Sequence, residues 1–433
     1  MSIEGIDQIV VDIQTNLDES ACKSSKASIF KVDNHLRIGG WDSVYDPKIV
    51  AIGPYHRGKP HLQNMEKLKH RYLKRFLNRP KEEINRCITA VAAMEERVRE
   101  CYAEPTDSIS KSDFVKMMVI DGCFLIELIR NYALERLRDE DDPIFRHGKI
   151  RSQLRHDIFL LENQLPFFLL NELFNMTKIH HQKDDIITLT LQFAGSVFLN
   201  FKVPDTVRRV PTNIDHIFGL LHLFWCLPFA ESISARAKHR KSYVSDNWAN
   251  INSISGLREA GIKIEKAKEK TSLMDITLKN GVLRIPWFRI SDETESYLRN
   301  LITYEQYLSD GEPRYVSDFT LFMHCLIKTS DDVKFLRCRG IIENWFGEDE
   351  KVCSMFNRMG KNILTSYDFS YSQIFQDVNK QCSRRRNKWG ATLRRNYFNS
   401  PWSIISFLAA ATLLLLTLLQ TVYAVLSYKH RAT

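Results

Sequence analysis

A long uncharged stretch near the carboxyl end of the chain constrains the fold most. No charged side chain lies between Asn396 and Tyr428, and Leu, Ala, Ile, Phe and Val dominate positions 404–426. As a helix, residues 402–428 would be roughly 40 Å long, enough to cross a hydrocarbon core of about 30 Å with some tilt. A buried core helix is the alternative, but such helices seldom stay apolar on every face for this length. The stretch therefore predicts a transmembrane helix.

The residues at its two ends support a span over 400–428, followed by a short tail at 429–433. Pro401 suits a first helical turn, and aromatic residues mark both membrane interfaces. The side chains that represent the span are Trp402, Ile404, Leu413, Leu416, Leu419 and Val425. Ser406 and Ala410 have the spacing of a weak small-xxx-small pair, and the sequence leaves open whether they help the anchor self-associate into a homo-oligomer.

The charges beside this span predict its orientation. A basic juxtamembrane segment at 378–399 precedes it, whereas only Lys429 and Arg431 follow. The basic residues of that segment are Lys380, Arg384, Arg385, Arg386, Lys388, Arg394 and Arg395. The positive-inside rule places this side in the cytosol. Since the amino terminus has neither a basic n-region nor an apolar h-region, we expect a single-pass, tail-anchored protein with a cytosolic domain.

The net charge of +9 belongs to the membrane flank rather than to the domain. Nine of the 61 Lys and Arg residues follow Asp377 and no acidic residue does, so the first 377 residues carry 52 basic and 52 acidic side chains. Such a flank suits anionic lipid headgroups. The neutral domain argues against nucleic acid as a partner.

The nine scattered cysteines, with no CxxC pair, are typical of a cytosolic protein.

The rest of the chain predicts a mainly α fold with a minor β-hairpin. Residues 1–27 are polar and are expected to be flexible, and 28–377 form a large helical domain with an internal loop or boundary near 231–250. Apolar periodicity predicts helices near 62–76, 84–101, 113–138, 154–165, 166–173, 186–200, 214–227, 292–308, 318–329, 331–339, 349–364 and 371–393. Residues 48–52 read as a short extended run.

One turn signal predicts the hairpin. Asn280-Gly281 separates apolar runs at 273–279 and 282–287, and this pair is favoured in a type I′ turn because both positions need positive φ. At the start of three predicted helices, Asp113, Asp292 with Glu295, and Asp331-Asp332 are plausible caps.

Known catalytic and binding motifs are weak or missing. Gly53 to Lys59 spells GxxxxGK, but Pro60 follows where a phosphate loop needs Ser or Thr for Mg²⁺. His180-His181 has no further ligand at zinc spacing, and Asp139 to Asp142 lacks the pattern of a calcium loop, so a surface pair and a solvated acidic turn are the better interpretations. No metal and no cofactor are predicted.

Four carboxylates inside apolar helices leave an enzymatic alternative open. Asp121, Glu127, Asp157 and Glu162 could converge as a buried cluster with perturbed pKa values, as acid–base catalysis requires. Structural ion pairing or helix capping is the competing interpretation.

Several ordered motifs resemble the plant family known as domain of unknown function 247 (DUF247), over roughly residues 29–423. The most specific is DIFLLENQLPFF, from Asp157 to Phe168. The signature residues are Gly53, Pro54, Tyr55, His56, Asp121, Gly122, Glu162, Asn163, Gln164 and Pro166. One departure is Asp33, where the family's VPxxLR motif has proline.

The resemblance implies a plant origin, a membrane anchor and no established enzymatic activity. Some grass members are linked to self-incompatibility loci and are proposed as pollen determinants. We therefore expect a non-enzymatic, membrane-anchored interaction or signalling protein with an unknown protein partner. The alternative is a hydrolase or transferase that uses the buried carboxylates.

Overall fold

The computed structural model describes the chain in nine stretches: residues 27–37, 42–78, 84–178, 185–195, 214–237, 251–268, 272–361, 363–383 and 401–431. The predicted flexible segment 1–27 lies almost wholly outside them. Outside them too lie His180, His181 and most of the predicted basic flank, namely Arg384, Arg385, Arg386, Lys388, Arg394 and Arg395.

Helices dominate the described residues, which confirms the mainly α class. In chain order they are α1 (Asn34–Arg37), α2 (Asp42–Tyr45), α3 (Gln63–Leu77), α4 (Ile84–Ala93), α5 (Glu95–Arg99), α6 (Lys111–Ala133), α7 (Pro143–Arg146), α8 (Gly148–Ile158), α9 (Phe167–Met176), α10 (Ile186–Gly195), α11 (Ile217–Ala237), α12 (Ile254–Glu259), α13 (Thr294–Gln306), α14 (Tyr315–Leu326), α15 (Ser330–Cys338), α16 (Asp349–Met359), α17 (Ser372–Ser383) and α18 (Pro401–Arg431). Short 3-10 turns lie at Pro60–Leu62 and Glu135–Leu137.

Helix α6 forms the centre of the amino-terminal half. Nearly every residue from Phe114 to Asn131 is buried, and α3, α4, α9 and α10 pack around it. A helix covered on all sides needs apolar residues on all faces, which the sequence of α6 supplies. Its cap is Ser110, whose Oγ accepts a hydrogen bond from Asp113 N at 3.1 Å, so the predicted cap at Asp113 is wrong.

In the carboxyl-terminal half α13, α14, α15 and α16 pack on one another, with α15 against one small sheet and α12 and α17 against a second. The strands are β1 (Lys263–Lys266), β2 (Thr277–Lys279), β3 (Val282–Ile285), β4 (Phe288–Ile290) and β5 (Ile342–Asn344). In the first sheet β3 is central, with β1 parallel and β2 antiparallel to it; β4 and β5 form a parallel pair.

The predicted hairpin is confirmed. Strands β2 and β3 pair across Asn280 and Gly281, whose φ angles of 52° and 76° are both positive. The parallel partner β1 was not predicted, because its pairing with β3 joins residues that are distant in sequence.

One hydrophobic core runs through both halves, from Ile29 to Val378. Helix α11 is long and apolar enough to cross a membrane, but half of it is buried and Phe218, Phe224 and Phe229 belong to this core. In α18, by contrast, residues 405–424 contain no buried side chain.

Several predicted boundaries are corrected. The predicted helix 84–101 is broken at Met94, and Glu231 to Ala237 continue α11 rather than beginning a loop, whereas 238–250 lie outside the described residues. No Asp292–Glu295 capping box forms; instead Thr294 Oγ1 accepts a hydrogen bond from Ser291 N at 2.9 Å.

At α15, the capping box pairs Thr329 with Asp332. Thr329 is the N-cap residue of this helix. Of the predicted pair Asp331-Asp332, only Asp332 takes part in the box, from the third helical position.

Candidate functional site

The family signature residues meet at one place inside the domain, which we call the signature junction. It joins the loop at 46–62, which we call the signature loop, to the turn at 159–166 that follows α8. Helix α6 lies behind both. The members of the junction include Gly53, Pro54, Tyr55, His56, Asp121, Gly122, Glu162, Asn163, Gln164 and Pro166. Its contacts decide whether the signature serves chemistry or structure.

Asp121 on α6 holds the middle of the signature loop. Its Oδ2 accepts a hydrogen bond from Gly53 N at 2.9 Å, and its Oδ1 accepts one from Lys69 Nζ at 2.7 Å. Lys69 also donates to Ala51 O. Burial raises the pKa of Asp121 although the Lys69 ammonium opposes that shift. The pair is buried with its hydrogen bonds made, which is the arrangement that a buried ion pair needs.

Asp157 binds the backbone in the first part of the same loop. Its carboxylate accepts hydrogen bonds from Lys48 N at 2.8 Å, Ile49 N at 2.7 Å and Val50 N at 3.0 Å. The predicted extended run 48–52 is therefore held by a side chain and not by a neighbouring strand.

Asn163 and Gln164 turn the chain after α8. Asn163 Nδ2 donates to Asp157 O at 2.9 Å, and Gln164 Nε2 donates to Ile158 O at 2.7 Å and to Leu160 O at 2.8 Å. These amides satisfy carbonyls at the end of the helix, which is why α8 stops at Ile158 although the predicted helix continues to Leu165.

Two signature glycines are required by close packing. Gly53 has φ of 73°, and a Cβ there would lie 2.9 Å from Gln164 O and 3.0 Å from Tyr102 Oη. A Cβ on Gly122 would lie 2.6 Å from Leu173 Cδ1. A side chain at Gly53 would meet the backbone of another element, and one at Gly122 would have to displace the end of the Leu173 side chain.

The edge of the junction carries a chain of charges, Arg37, Asp46, His56, Lys59 and Glu162, which we call the rim cluster. Glu162 Oε1 accepts from Arg37 Nη2 at 2.6 Å and from Val32 N at 2.6 Å. Asp46 lies 3.3 Å from both Arg37 and Lys59. The segment 32–37, in which Asp33 replaces the proline of the family motif, is therefore bound to Glu162 at both of its ends, through Val32 and Arg37.

His56 lies between the two carboxylates of the rim cluster. Its Nε2 is 2.9 Å from Glu162 Oε2, and its Nδ1 is 3.8 Å from Asp46 Oδ1. Burial favours a raised pKa for Glu162, but its contacts with His56 and Arg37 outweigh burial and lower the pKa. Both carboxylates are thus held in their charged form.

The rim cluster contains three metal-ligand types, yet it does not suit a cation. Asp46 and Glu162 make their closest approaches to opposite nitrogens of the His56 ring, although one ligand atom from each of the three residues lies within 4.8 Å of the others. Arg37 and Lys59 already neutralise the same carboxylates. We interpret the rim cluster as an ion-pair ladder that fixes the signature loop.

The four predicted carboxylates have separate partners. Asp121 pairs with Lys69, Asp157 binds backbone amides, and Glu162 pairs with Arg37. Glu127 lies 3.5 Å from Arg130, whose Nη1 also donates to Thr177 Oγ1. The contacts of all four are those of structural clamps.

The GxxxxGK-like string does not present a phosphate loop. Gly53 N donates to Asp121, Lys59 pairs with Asp46, and α3 begins only at Gln63.

The acidic run at 139–142 differs from prediction at Asp142, which is buried rather than solvated. Asp142 accepts hydrogen bonds from Tyr72 Oη and Arg75 Nη1.

Sequence reasoning missed a second polar cluster, formed by His222 and Cys226 of α11 with Glu305 of α13. The available signal was the His-x-x-x-Cys spacing, which places both side chains on one helical face. Glu305 is 83 positions away in sequence from His222, so no local pattern links it to them.

The predicted membrane residues lie on α18. Leu413, Leu416 and Leu419 are 66%, 53% and 50% exposed, while the side chains of Trp402, Ile404 and Val425 lie outside the described part. Thr412 and Thr417 hydroxyls donate to the carbonyls of Leu408 and Leu413, which removes their polarity from the helix surface.

Comparison with known proteins places this arrangement in a family. A family model described as a plant protein of unknown function, DUF247, matches residues 29–416. A UPF0481 protein of Arabidopsis thaliana is 31% identical over 430 residues, covering 95% of this chain and 88% of the relative. Another Arabidopsis protein with UPF0481 in its name is 24% identical over 504 residues, covering 95% and 93%.

No solved structure matches the chain. The family match extends over the signature junction, the core and about the first half of α18. This chain belongs to the DUF247 family of plant proteins of unknown function.

Proposed function

We propose that this protein is a non-enzymatic interaction protein for signalling or recognition, held at a membrane by α18 with its helical domain in the cytosol. The exposure of α18 carries the proposal. Leu414 is 73% exposed and Leu418 66%, and the whole window 405–424 lacks buried residues. Apolar surface of this extent needs a covering, and a bilayer supplies one to a helix of this length.

The cytosolic orientation rests on the basic residues that precede α18. Lys380 in α17 is the described member of that set, and the formally neutral domain provides no competing charge. Positive residues beside a span favour the cytosolic side.

The contacts of the signature junction support a non-enzymatic role. Its carboxylates hold backbone amides or basic side chains that are buried or half-buried, so their charges are committed to the fold. The enzymatic alternative would need at least two of these carboxylates to share one reacting atom, and their separate partners do not favour that.

A rigid aromatic surface supports interaction with a protein. Trp345 is 62% exposed, its Nε1 donates to Glu343 Oε1 at 2.8 Å, and the Arg289 guanidinium lies 4.0 Å from the centroid of its ring. Arg289 also pairs with Glu343 at 3.3 Å. Trp and Arg are enriched at binding hot spots, and side chains fixed in advance lose less entropy on binding.

Alkaline extraction of microsomes tests the anchor. The full chain should stay with the membrane pellet, as should the control variant Leu413→Ile with Leu416→Ile. The variant Leu413→Arg with Leu416→Arg should move to the supernatant, because each arginine near the centre of a span costs about 2.5–3.5 kcal/mol of insertion free energy. Extraction of the unaltered chain, or full retention of the arginine variant, would contradict the proposal.

A further inference from the structure

Three metal-ligand atoms converge between α11, α13 and the start of α14. His222 Nε2 lies 2.9 Å from Glu305 Oε1 and 3.5 Å from Cys226 Sγ. The three ligand atoms all lie within 4.8 Å of one another. Unlike in the rim cluster, one and the same ring nitrogen faces both other ligands.

These separations are close to those of a metal site. Tetrahedral zinc with its usual bond lengths separates nitrogen from sulfur by about 3.6 Å and nitrogen from oxygen by about 3.4 Å. The observed His222–Cys226 separation already equals the nitrogen–sulfur separation of a zinc site. The His222–Glu305 separation would have to grow by about half an ångström, because the hydrogen bond between them would be replaced by one metal bond to each residue. The three residues sit on helices, so the backbone keeps their side chains next to one another.

The surrounding hydrogen bonds orient Glu305 without using all of its capacity. Its Oε1 accepts from Val316 N at 2.8 Å, and its Oε2 accepts from Ser317 N at 2.8 Å and Ser317 Oγ at 2.7 Å. Each carboxylate oxygen has two lone pairs, so these bonds would remain when Oε1 exchanged the His222 hydrogen bond for a cation. Partners of this kind hold metal-binding carboxylates in place.

We propose that His222 Nε2, Cys226 Sγ and Glu305 Oε1 bind one divalent transition metal ion, with zinc as the ion that this mixed nitrogen, sulfur and oxygen set fits. The ligand set supplies three positions, and a water molecule would fill the fourth. The side chain of His222 is 11% exposed, which gives an ion access from solvent.

The cation changes the protonation of the thiol. A cysteine side chain binds a cation as the thiolate and not as the thiol. Formation of the metal–sulfur bond replaces the S–H bond, and the proton leaves to solvent. Binding is therefore expected to weaken as the pH falls.

Cobalt binding to the purified full chain in detergent tests the site. The chain is stripped with a chelator, titrated with Co²⁺ and followed by the near-ultraviolet band of a cobalt–thiolate bond, and then Zn²⁺ is added. We expect one cobalt ion per chain, the thiolate band, and its loss when zinc displaces cobalt.

Matched variants assign the ligands. Cys226→Ser should abolish the band, and His222→Gln should prevent binding at the same cobalt concentration. Cys325 is also buried but lies at the other end of α14. The control variant Cys325→Ser should therefore leave the thiolate band and cobalt binding unchanged. Ser317→Ala, which removes one orienting bond and no ligand, should weaken cobalt affinity by about 10-fold.

Two results would overturn the proposal: no thiolate band in the unaltered chain, or an undiminished band in folded Cys226→Ser. If that variant does not fold, unchanged cobalt affinity in both His222→Gln and Ser317→Ala would overturn it equally, since neither substitution touches the thiol.

Discussion

At the residue scale, buried polar side chains connect backbone groups from distant parts of the chain. His216 shows this most completely. Its Nδ1 accepts a hydrogen bond from Gly219 N at 2.9 Å, and its Nε2 lies 3.0 Å from Ser28 O. Because a backbone N–H can only donate and a carbonyl can only accept, the ring must be neutral with its proton on Nε2.

This arrangement predicts a loss of stability in mild acid. Burial, with a smaller contribution from the charge of His222, lowers the pKa of His216 from 6.5 to about 4. The unfolded chain therefore binds the proton first, so the stabilisation is complete above pH 6.5 and is lost as the pH falls towards 4. The free energy of unfolding should fall by up to about 3 kcal/mol over this range.

Denaturant unfolding of the full chain in detergent at several pH values checks the loss. His216→Asn keeps a side-chain acceptor for Gly219 N but has no titrating group. We expect this variant to be less stable at pH 7 and to depend less on pH between 6.5 and 4.5. Equal slopes for the variant and the unaltered chain would show that another group causes the acid sensitivity.

At the scale of elements, the signature junction depends on close approach as much as on hydrogen bonds. Gly53 and Gly58 lie in the same loop with φ of 73° and 85°, but a Cβ on Gly58 would meet nothing within 4 Å. The two positions therefore separate backbone strain from steric exclusion.

We predict that Gly53→Ala destabilises the domain more than Gly58→Ala. Both substitutions add the cost of a side chain at positive φ, about 1–2 kcal/mol. Only Gly53→Ala also pushes against Gln164 O and Tyr102 Oη, which should add about 1–3 kcal/mol. The midpoint of urea unfolding measures the difference, and equal midpoints would mean that the turn after α8 moves aside freely.

The sequence predicted elements where the signal is local. The Asn280-Gly281 turn and the apolar spacing of α3 are examples, since a few neighbouring residues determine each. Prediction from the sequence failed where a distant side chain decides the outcome: α8 ends where Asn163 and Gln164 fold back on it, and residues 48–50 bind Asp157 instead of a strand.

The site shows the same division. The motifs identified Asp121, His56 and Glu162 as a group, but whether they act as catalysts or clamps depends on Lys69 and Arg37, which the motifs do not pair with them. The cluster of His222, Cys226 and Glu305 needed the fold to bring α13 against α11.

At the scale of the whole molecule, a neutral helical domain with one continuous core is joined to a helix that the core does not cover. The apolar composition of α18 was sufficient to predict a long helix that is apolar on every face, because this property depends on length and composition rather than on tertiary contacts. Helix α11 has a similar composition, but its place in the core could be recognised only from packing.

Protease protection of an amino-terminally tagged full-length chain in sealed plant microsomes tests the central claim most directly. It is read together with glycosidase treatment, which reports on the exposed Asn175 in its Asn-Met-Thr sequon. Our account predicts that added protease digests the tagged domain and that Asn175 carries no glycan. A protected, glycosylated domain would contradict it and would place the domain on the lumenal side of the membrane.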